Sequence, residues 1–420
     1  MKVVHINTYD GNGGAGRAVL RLNKGLRLLG VDSEVLTLYQ FNQNSGVTAI
    51  SQSFLGKVRA TINILAERFL IKAFLKDSTV PFSLQRFGLN LSHLQMLKNA
   101  DVLHLHWINH GFLSPPELAE LARLNKKIVW TLHDSNPLTG GCHVRYGCPG
   151  FEHQCGRCPV LKNLSDTDLS HRTWEAKKAA YQELDFQFIA PSTWMGDCTR
   201  QASLGRDKKV NVISNALETD IFKPLNKHQC RAEFGVDENA KVILAGYMPS
   251  TSDRHKGLRE LQETLSYLAD RPGIDHSKLE LIFYGSDGTN LDYHIPIKHR
   301  FAGKITDDEI LVKLYSLSDV FLFPSLEESM GYTALESLSC GTPVAAFNTS
   351  GVTDVVLHKK NGFLADLYDT RSLAEGIEWI LNEGNKADLS AYGRKWAVDN
   401  FDLPVVAKKH LDLYNSLLEN

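Results

Sequence analysis

The chain has 420 residues, of which 43% are hydrophobic and 22% are charged, and its formal net charge is −2. This length suggests two or three domains with a large buried core, and the near-neutral charge gives no electrostatic footprint for nucleic acid. No uncharged apolar run approaches the roughly 18–20 residues of a membrane span, and residues 1–6 begin directly as a strand without a signal-peptide pattern. The simplest expectation is a globular cytoplasmic enzyme.

Predicted strands and helices alternate along the whole sequence. Apolar runs typical of buried strands lie at 2–8, 33–38, 101–106, 127–132, 186–190, 241–246, 279–285, 320–323 and 343–347. Helices with apolar residues at helix spacing fall between them, for example at 17–29, 258–269 and 307–316. Repeated βα units predict an α/β fold with doubly wound, mainly parallel sheets. Because one sheet rarely holds this many strands, two such domains are expected, with a boundary near 208–224.

A glycine-rich turn follows the first predicted strand, with Gly11, Gly13, Gly14 and Gly16 ahead of a helix. Such turns often bind phosphate through backbone amides. The second strand ends at 36–40 without the acid that a dinucleotide fingerprint requires, which argues against NAD. The turn is therefore a candidate phosphate loop of another kind.

Residues 54–76 mix large apolar side chains with cations, among them Lys57, Arg59, Arg68 and Lys72. Basic amphipathic helices can lie in a membrane interface, drawn there by anionic lipid. A helix that covers the core of the first domain with its cations exposed is the commoner explanation. Both a peripheral membrane contact and a plain surface helix stay open.

The predicted strand at 127–132 ends in His133 and Asp134. Polar residues at the carboxyl end of a strand in a parallel sheet are good site candidates. His104 and His106 alternate along the preceding strand, so one of them can face the same site. Plain packing at a strand end is the alternative for these two histidines.

Four of the seven cysteines, Cys142, Cys148, Cys155 and Cys158, lie within residues 140–160. The last two form a CxxC motif, which in a cytosolic chain indicates structural zinc before a disulfide. Reduced thiols, an optional disulfide and an iron–sulfur cluster are the alternatives. The remaining cysteines are scattered and are expected to be buried without a role.

A basic segment, Asp253-Arg254-His255-Lys256-Gly257, lies between the predicted strand at 241–246 and the helix at 258–269. Lys256 is a compact charge suited to a pyrophosphate, and the guanidinium of Arg254 can bind two oxygens at once. Fixed cations stabilise the charge that develops on a departing phosphate. The alternative is a solvated basic loop.

The most informative stretch runs from 320 to 347 and predicts a strand, a loop, a short helix and another strand. Glu328 lies on the loop and Glu336 on the helix, after the carboxyl end of the first strand, where open parallel sheets bind ligands. Gly331 permits close backbone approach, and the free amides at the helix start form an anion site. Carboxylates for hydroxyl groups beside amides for phosphate indicate a nucleotide-sugar site.

The run Pro324-Ser325, Glu328, Gly331, Glu336 and Gly341-Thr342-Pro343-Val344 resembles the signature of retaining glycosyltransferases of the GT-B fold, specifically glycosyltransferase family 4. The resemblance implies two Rossmann-like domains facing across a cleft. It implies an acceptor-side domain at 1–212 with a Cys-rich insert at 140–160, a nucleotide-sugar-binding domain at 213–395, and a helix at 396–420 that crosses back to the first domain. Residues 214–224 resemble the interdomain segment of the family, with Ser214 and Ala216 in place of the usual Pro and Gly.

The same resemblance implies roles for individual residues. Lys256 matches the family's Lys-Gly, whereas Tyr247 stands where the family usually has its arginine, so Arg254 is the candidate substitute. Glu336 would accept the ribose hydroxyls, Glu328 would contact the sugar or lie beneath its anomeric carbon, and His133 would contact the donor sugar. The remaining implied contacts are with the phosphates and the base: Gly14, Gly16, Gly303 in the segment 300–305, Gly331, Tyr332 and Thr333.

The cysteine insert resembles that of a subgroup of bacterial polysaccharide transferases of the colanic-acid type. The resemblance rests on Thr131-Leu132-His133-Asp134 ahead of the insert and on Gly140-Gly141-Cys142-His143 and Cys155-Gly156-Arg157-Cys158-Pro159 within it. The implied function is metal-free, retaining transfer of a hexose from a UDP- or GDP-sugar to a glycan or lipid-linked acceptor. The setting would be lipopolysaccharide or exopolysaccharide synthesis, with peripheral contact at the inner membrane. A double displacement through Glu328 or Asp134 stays open. The alternatives are an epimerase or phosphorylase on the same fold, or a non-catalytic metal-stabilised nucleotide-binding module.

Overall fold

The computed structural model describes residues 1–11, 13–41, 46–77, 80–246, 254–288 and 295–419. Asn12 of the glycine-rich turn, and Tyr247 and Asp253 near Lys256, lie outside the described residues. The chain divides into two compact units, Met1–Ala216 with Leu403–Asn420, and Leu217–Asp402.

The first unit is built on strands β1 (Lys2–Tyr9), β2 (Asp32–Tyr39), β3 (Val47–Ala49), β4 (Val102–Leu105), β5 (Lys127–Thr131), β6 (Gln187–Ala190) and β7 (Val210–Val212). Between them lie helices α1 (Gly13–Leu28), α2 (Phe54–Phe74), α3 (Gln95–Lys98), α4 (Pro115–Ala122), α5 (Leu169–Glu183) and α6 (Thr193–Gln201).

The second unit is built on strands β8 (Lys241–Gly246), β9 (Leu279–Tyr284), β10 (His299–Phe301), β11 (Val320–Phe323), β12 (Val344–Phe347) and β13 (Gly362–Ala365). Its helices are α7 (Lys227–Glu233), α8 (Leu258–Ala269), α9 (Asp308–Leu317), α10 (Tyr332–Ser339), α11 (Thr370–Asn382) and α12 (Lys386–Phe401). The last helix of the chain, α13 (Leu403–Glu419), belongs to the first unit.

Each unit has one parallel sheet among the described residues, with strand order β3-β2-β1-β4-β5-β6-β7 in the first unit and β10-β9-β8-β11-β12-β13 in the second. Every described strand pair is parallel, so within a unit the carboxyl ends of the strands meet at one edge. The central strands β4, β11 and β12 are buried along their whole length, as expected for sheets covered by helices on both faces. The predicted α/β class with two doubly wound parallel sheets is confirmed.

Helix α13 completes the core of the first unit by packing against α1. Val406, Ala407 and Tyr414 of α13 are buried in one cluster with Leu26 of α1. Gly25 makes this close approach workable, because a β-carbon there would lie 2.9 Å from Cβ of Ala407. Helix α12 instead contributes to the core of the second unit.

Helix α2 carries large apolar side chains into solvent. Phe54 is 80% exposed and Phe69 73% exposed, and Leu55, Ile62 and Leu65 are also exposed. Within the described ranges, no helix is both long enough and apolar enough to cross a bilayer.

A buried carboxylate ties together four elements of the second unit. Asp319, immediately before β11, accepts hydrogen bonds from Arg231 Nη2 on α7 at 2.9 Å, Lys227 Nζ at 2.8 Å and the β8 amide of Val242 at 2.8 Å. Lys386 of α12 lies 3.4 Å away. Because both side chains are buried, the guanidinium of Arg231 depends on Asp319 for charge compensation.

Candidate functional site

The glutamate loop joins β11 to α10 at the carboxyl edge of the second sheet. Gly331 caps the helix with φ of 94°, a backbone conformation that a residue with a β-carbon adopts only at a cost. Helix α10 begins at Tyr332, so the amides of Tyr332 and Thr333 have no carbonyl within the helix to bond. The helix start therefore offers amide donors and partial positive charge to an anion.

Lys256 and Glu328 form an ion pair in this unit, with Lys256 Nζ 2.7 Å from Glu328 Oε1. The lysine side chain is 42% exposed and the glutamate side chain 14%. Burial raises the pKa of Glu328, but the charge and hydrogen bond of Lys256, the charge of His255 and a hydrogen bond with Ser325 together lower it by more, so the net pKa lies below its ordinary value. The carboxylate is thus ionised and held beside a partly solvated cation.

Strand order explains why these two residues meet. β8 and β11 are neighbours in the sheet, so the turns after their carboxyl ends lie side by side. The amide of Leu326 donates to the carbonyl of His255 at 2.7 Å, which joins the lysine turn to the glutamate loop. Gly257 has φ of 70°, and a β-carbon there would overlap the carbonyl oxygen of Pro324. Only glycine permits this contact.

The other side of the glutamate loop is held by the turn after β12. The amide of Glu328 donates to Ser350 Oγ at 2.9 Å, and the amide of Gly351 donates to the Glu328 carbonyl at 2.9 Å. Sequence reasoning did not single out Ser350 or Gly351. The available signal was their place directly after a strand that neighbours β11.

Glu336 is buried in α10, where its residue is 2% exposed. Its Oε2 lies 3.5 Å from the hydroxyl of Tyr315, and that hydroxyl lies 3.4 Å from the hydroxyl of Tyr284. Just beyond Tyr284, the amide of Gly285 donates to the carbonyl of Gly303 at 2.8 Å, which places the predicted base-binding segment at the same sheet edge. The two tyrosines gave no signal in the sequence beyond helix or strand spacing.

The remaining predicted residues are distributed between the units. Arg254 begins the lysine turn and its side chain is exposed. Gly14 and Gly16 lie in the first turn of α1, in the first unit. A β-carbon on Gly16 would lie 2.9 Å from the Gly11 amide nitrogen, whereas one on Gly14 would meet nothing within 4 Å. Gly16 is therefore required by packing, and Gly14 presents open backbone.

His133 and Asp134 follow β5 at the carboxyl edge of the first sheet. His133 Nε2 lies 3.0 Å from His106 Nδ1, and burial lowers the pKa of His133 to about 4. Asp134 accepts hydrogen bonds from Trp107 Nε1 at 2.7 Å, His143 Nδ1 at 2.6 Å and the Asn136 amide at 2.8 Å. Burial raises the pKa of Asp134, and the charge of His143 together with the hydrogen bonds from His143, Asn136 and Trp107 lowers it by more. Asp134 is therefore an ionised acceptor that orients its neighbours.

The four clustered cysteines line one small cavity of about 30 Å³ together with Thr139, Arg145 and Phe151. All four are free thiols. Cys155 Sγ accepts a hydrogen bond from the Gly140 amide at 3.1 Å, and a hydrogen bond with Cys142 lowers the pKa of Cys158 to about 7. In the described part of the chain, no three sulfurs of this set lie within 4.8 Å of one another. The donor set suits zinc in kind, and the thiols would have to converge to bind it.

Two family models match the chain, Glycosyltransferase Family 4 over residues 12–221 and Glycosyl transferases group 1 over residues 228–396. A putative colanic acid biosynthesis glycosyl transferase of Escherichia coli is 24% identical over 380 residues, which cover 86% of each protein.

Solved structures share the fold. Sucrose-phosphate synthase from Thermosynechococcus elongatus matches with a TM-score of 0.69 and 19% identity over 100% of both chains. The Anabaena protein HepE, solved in complex with UDP and glucose, matches with a TM-score of 0.65 and 17% identity over 99% of this chain and 100% of that one. The first family model spans half of the sequence, and the fold is that of GT-B enzymes. The chain belongs to glycosyltransferase family 4.

Proposed function

We propose that this protein is a retaining hexosyltransferase that moves a sugar from a UDP- or GDP-sugar to a glycan or lipid-linked oligosaccharide acceptor in bacterial surface polysaccharide synthesis. The observation that carries the proposal is the Lys256–Glu328 pair, whose glutamate lies on the loop that leads into the first turn of α10. The Escherichia coli relative is described as a colanic acid biosynthesis enzyme, which supports this setting.

In this proposal the second unit binds the donor. The amides of Tyr332 and Thr333, the turn at Gly331 and the charge of Lys256 receive the diphosphate. Glu336 accepts the ribose hydroxyls, with Tyr315 as its partner in the absence of ligand. The backbone around Gly303 faces the base, and Arg254 supplies a second cation from the lysine turn. The complex of HepE with UDP and glucose supports a donor of this class.

The proposed chemistry proceeds on one face of the sugar. An acceptor hydroxyl attacks the anomeric carbon as the bond from that carbon to the phosphate oxygen breaks, and the leaving phosphate takes the hydroxyl proton. Lys256 and the helix amides stabilise the charge that develops on the phosphate. Ionised Glu328 stabilises the cationic character of the sugar. Asp134 already accepts three hydrogen bonds, so we assign it to positioning rather than to nucleophilic attack.

The first unit supplies the proposed contacts to the transferred sugar and the acceptor. His133 lies at the carboxyl end of β5, where its Nδ1 has no hydrogen-bond partner among the described residues. Gly14 presents open backbone at the start of α1, and Gly16 packs against Gly11 to shape the turn. We assign His133 to the donor sugar and this turn to the phosphate and acceptor.

The test is nucleotide-sugar binding followed by product analysis. Thermal shift with UDP- and GDP-sugars should raise the melting temperature for the true donor, because a ligand specific for the folded state stabilises it. Glu336→Gln should abolish that shift, whereas Glu327→Gln, in the loop before α10, should retain it. NMR of the product should show the donor's anomeric configuration. Donor turnover without an acceptor would favour an epimerase, a pyridoxal absorbance band would indicate a phosphorylase, and nucleotide binding without turnover would leave a binding module.

We also propose that α2 contacts an anionic membrane surface. Its only acid, Glu67, is buried and accepts the amides of Leu84 at 2.6 Å and Gln85 at 2.8 Å. The exposed charges of the helix are therefore cationic, and they lie among exposed aromatic and aliphatic side chains. This combination suits lipid headgroups and acyl chains together.

Vesicle sedimentation tests this contact with a matched pair of leucines. Leu65 on α2 is 58% exposed and Leu164, outside the helix, is 57% exposed. Leu65→Ser combined with Phe69→Ser should weaken binding to phosphatidylglycerol vesicles, while Leu164→Ser should not. Equal binding to purely zwitterionic vesicles, or an unchanged affinity in the double variant, would contradict the proposal.

For the cysteine cavity we propose structural zinc held by Cys142, Cys148, Cys155 and Cys158. Four thiols around one cavity of about 30 Å³ support it. Metal analysis of protein purified without chelator should find one zinc per chain, and Cys155→Ser with Cys158→Ser should lose it and lower the melting temperature. Cys230→Ser, at a buried cysteine of the second unit, is the control. Metal-free protein with four titratable thiols would support the alternative of reduced cysteines.

A further inference from the structure

Three buried histidines lie together in the first sheet. His5 on β1, His104 on β4 and His106 after β4 bring ring nitrogens within 4.8 Å of one another. Such a group resembles a metal site, but its nitrogens already have partners. His104 contacts the Tyr414 hydroxyl and Thr131 Oγ1 at 2.7 Å each. His5 and His106 contact each other and have one further partner each. The arrangement is a hydrogen-bonded chain of imidazoles.

This hydrogen-bonded chain of imidazoles crosses the strands of the sheet from α1 to the end of β5. Ser33 Oγ on β2 lies 2.7 Å from Asn23 Oδ1 on α1 and 3.1 Å from His5 Nε2. His5 Nδ1 lies 3.0 Å from His106 Nε2. His106 Nδ1 lies 3.0 Å from His133 Nε2. The hydrogen-bonded chain therefore connects four adjacent strands in the order β2, β1, β4 and β5.

The direction of every hydrogen bond in this chain follows from the direction of the first one, between Ser33 and Asn23. Asn23 Oδ1 can only accept, so the Ser33 hydroxyl donates to it. Ser33 Oγ must then accept from His5, whose proton is on Nε2. A neutral imidazole carries one proton, so His5 Nδ1 accepts from His106 Nε2. By the same step, His106 Nδ1 accepts from His133 Nε2.

Neutrality of the rings is the condition for this reasoning, and burial supplies it. Desolvation lowers the pKa of His5 to about 3 and that of His133 to about 4. It also places the pKa of His106 well below the ordinary value. With each ring neutral, all the hydrogen bonds of the imidazole chain must point in the same direction from donor to acceptor.

We propose that Ser33, His5 and His106 are positioning residues that hold His133 as the Nε2–H tautomer, so that its free Nδ1 presents a lone pair to a hydroxyl of the bound sugar. No described residue hydrogen-bonds to that nitrogen. A lone pair accepts a hydrogen bond from an alcohol and repels a carboxylate oxygen. The site therefore favours a neutral sugar whose hydroxyl donates to His133, over a uronate at that position.

The tautomer of His133 does not depend on the proposed function, whereas the contact with the sugar rests on that function. The first measurement is therefore the 15N NMR spectrum of histidine-labelled protein without ligand, with the His133 signals assigned from His133→Gln. We expect an unprotonated Nδ1 and a protonated Nε2, in a ratio of about five to one, which is the bias that one net hydrogen bond provides. A proton on Nδ1 would mean that the chain runs the other way and would overturn the proposal.

A matched pair of variants at His106 tests whether an acceptor at the position of its Nδ1 sets the tautomer of His133. His106→Asn keeps an oxygen near the position of Nδ1, where it can accept from His133, while His106→Leu has a similar shape and no acceptor. We expect the wild-type tautomer in the first variant and a mixed signal in the second, with Ser33→Ala shifting the ratio in the same direction. An unchanged His133 spectrum in both His106→Leu and Ser33→Ala would exclude the positioning role.

Measurements of kcat/KM test the contact between His133 and the sugar. If the tautomer result holds, His106→Leu should reduce kcat/KM with the true donor at least about tenfold, and His106→Asn should restore most of it, because only the acceptor differs between the two. Normal kcat/KM in His106→Leu despite a mixed tautomer would reject the sugar contact and leave the tautomer assignment standing. Absence of turnover in the wild type as well would instead contradict the proposed function.

Discussion

Lys256 Nζ lies 2.7 Å from Glu328 Oε1, although the residues are 72 positions apart and stand on turns that follow two different strands. Neighbouring parallel strands bring those turns together, and the hydrogen bond from Leu326 to His255 keeps them in contact. The pair thus joins the charge proposed for the diphosphate to the carboxylate proposed for the sugar.

Lys256→Ala should reduce turnover by roughly a hundredfold or more, comparable to the loss of one preorganised oxyanion donor. The reason is that the lysine stabilises charge that develops only as the diphosphate leaves. Steady-state kinetics with the identified donor measures it. Lys313→Ala removes another lysine paired with a glutamate, Glu233 at 2.6 Å, and should leave turnover unchanged. A Lys256→Ala enzyme with near-normal rates would exclude the lysine from the mechanism.

The pH dependence of stability should identify the ionised state of Glu328. In the folded protein the pKa of Glu328 is lowered from its ordinary value of 4.5. Its ionised form therefore stabilises the fold at pH values above 4.5, and this contribution is lost as the pH falls through the lower pKa of the folded state. Glu328→Gln has no such proton to take up. The melting temperature of wild type relative to Glu328→Gln should therefore decline as pH drops below 4.5.

Glu233→Gln is the matched control, because Glu233 forms an exposed pair with Lys313. Exposed pairs contribute little to stability and are screened by salt, so this control should show a small difference in melting temperature with little pH dependence. A difference between wild type and Glu328→Gln that stays constant across the acid range would contradict the ionised, lysine-paired state.

Gly257→Ala should destabilise the second unit and weaken donor binding. Both the positive φ of 70° and the overlap of a β-carbon with the Pro324 carbonyl oppose the substitution. Gly235→Ala separates the two effects, because Gly235 has φ of 60° and an added β-carbon would meet nothing within 4 Å. We expect a loss of about 1 kcal/mol at Gly235 from backbone strain alone, and a clearly larger one at Gly257. Equal melting temperatures for the two variants would rule out the close contact.

Asp319→Ala should cost about 3–5 kcal/mol of folding free energy, because it leaves the buried guanidinium of Arg231 without its counter-charge. Denaturant unfolding of the variant measures this loss. Asp399→Ala breaks an exposed pair with Lys395 on α12, which solvent and salt screen, and should leave the folding free energy nearly unchanged. A loss at Asp319 as small as that at Asp399 would show that the four elements do not depend on this carboxylate.

Much of the fold and part of the candidate site were predictable from local patterns. The alternation of apolar strands with helices predicted two parallel sheets, and the spacing of Glu328, Gly331 and Glu336 predicted the loop and helix that carry them. Gly257 was found through its place in the Lys-Gly motif. These features depend on neighbouring residues, so short-range periodicity and turn chemistry report them.

Ser350, Tyr315 and the histidine chain behind His133 were not predicted, because each depends on which strands become neighbours and in what register. His5 and His106 are 101 residues apart, and only the pairing of β1 with β4 brings their rings together. By itself, the sequence determined the family, the two sheets and the acidic and basic residues of the proposed donor motif, through local spacing. Tertiary structure alone decided which partner each charge and imidazole has, since hydrogen bonds and ion pairs act over a few ångströms and strand order sets which side chains come that close.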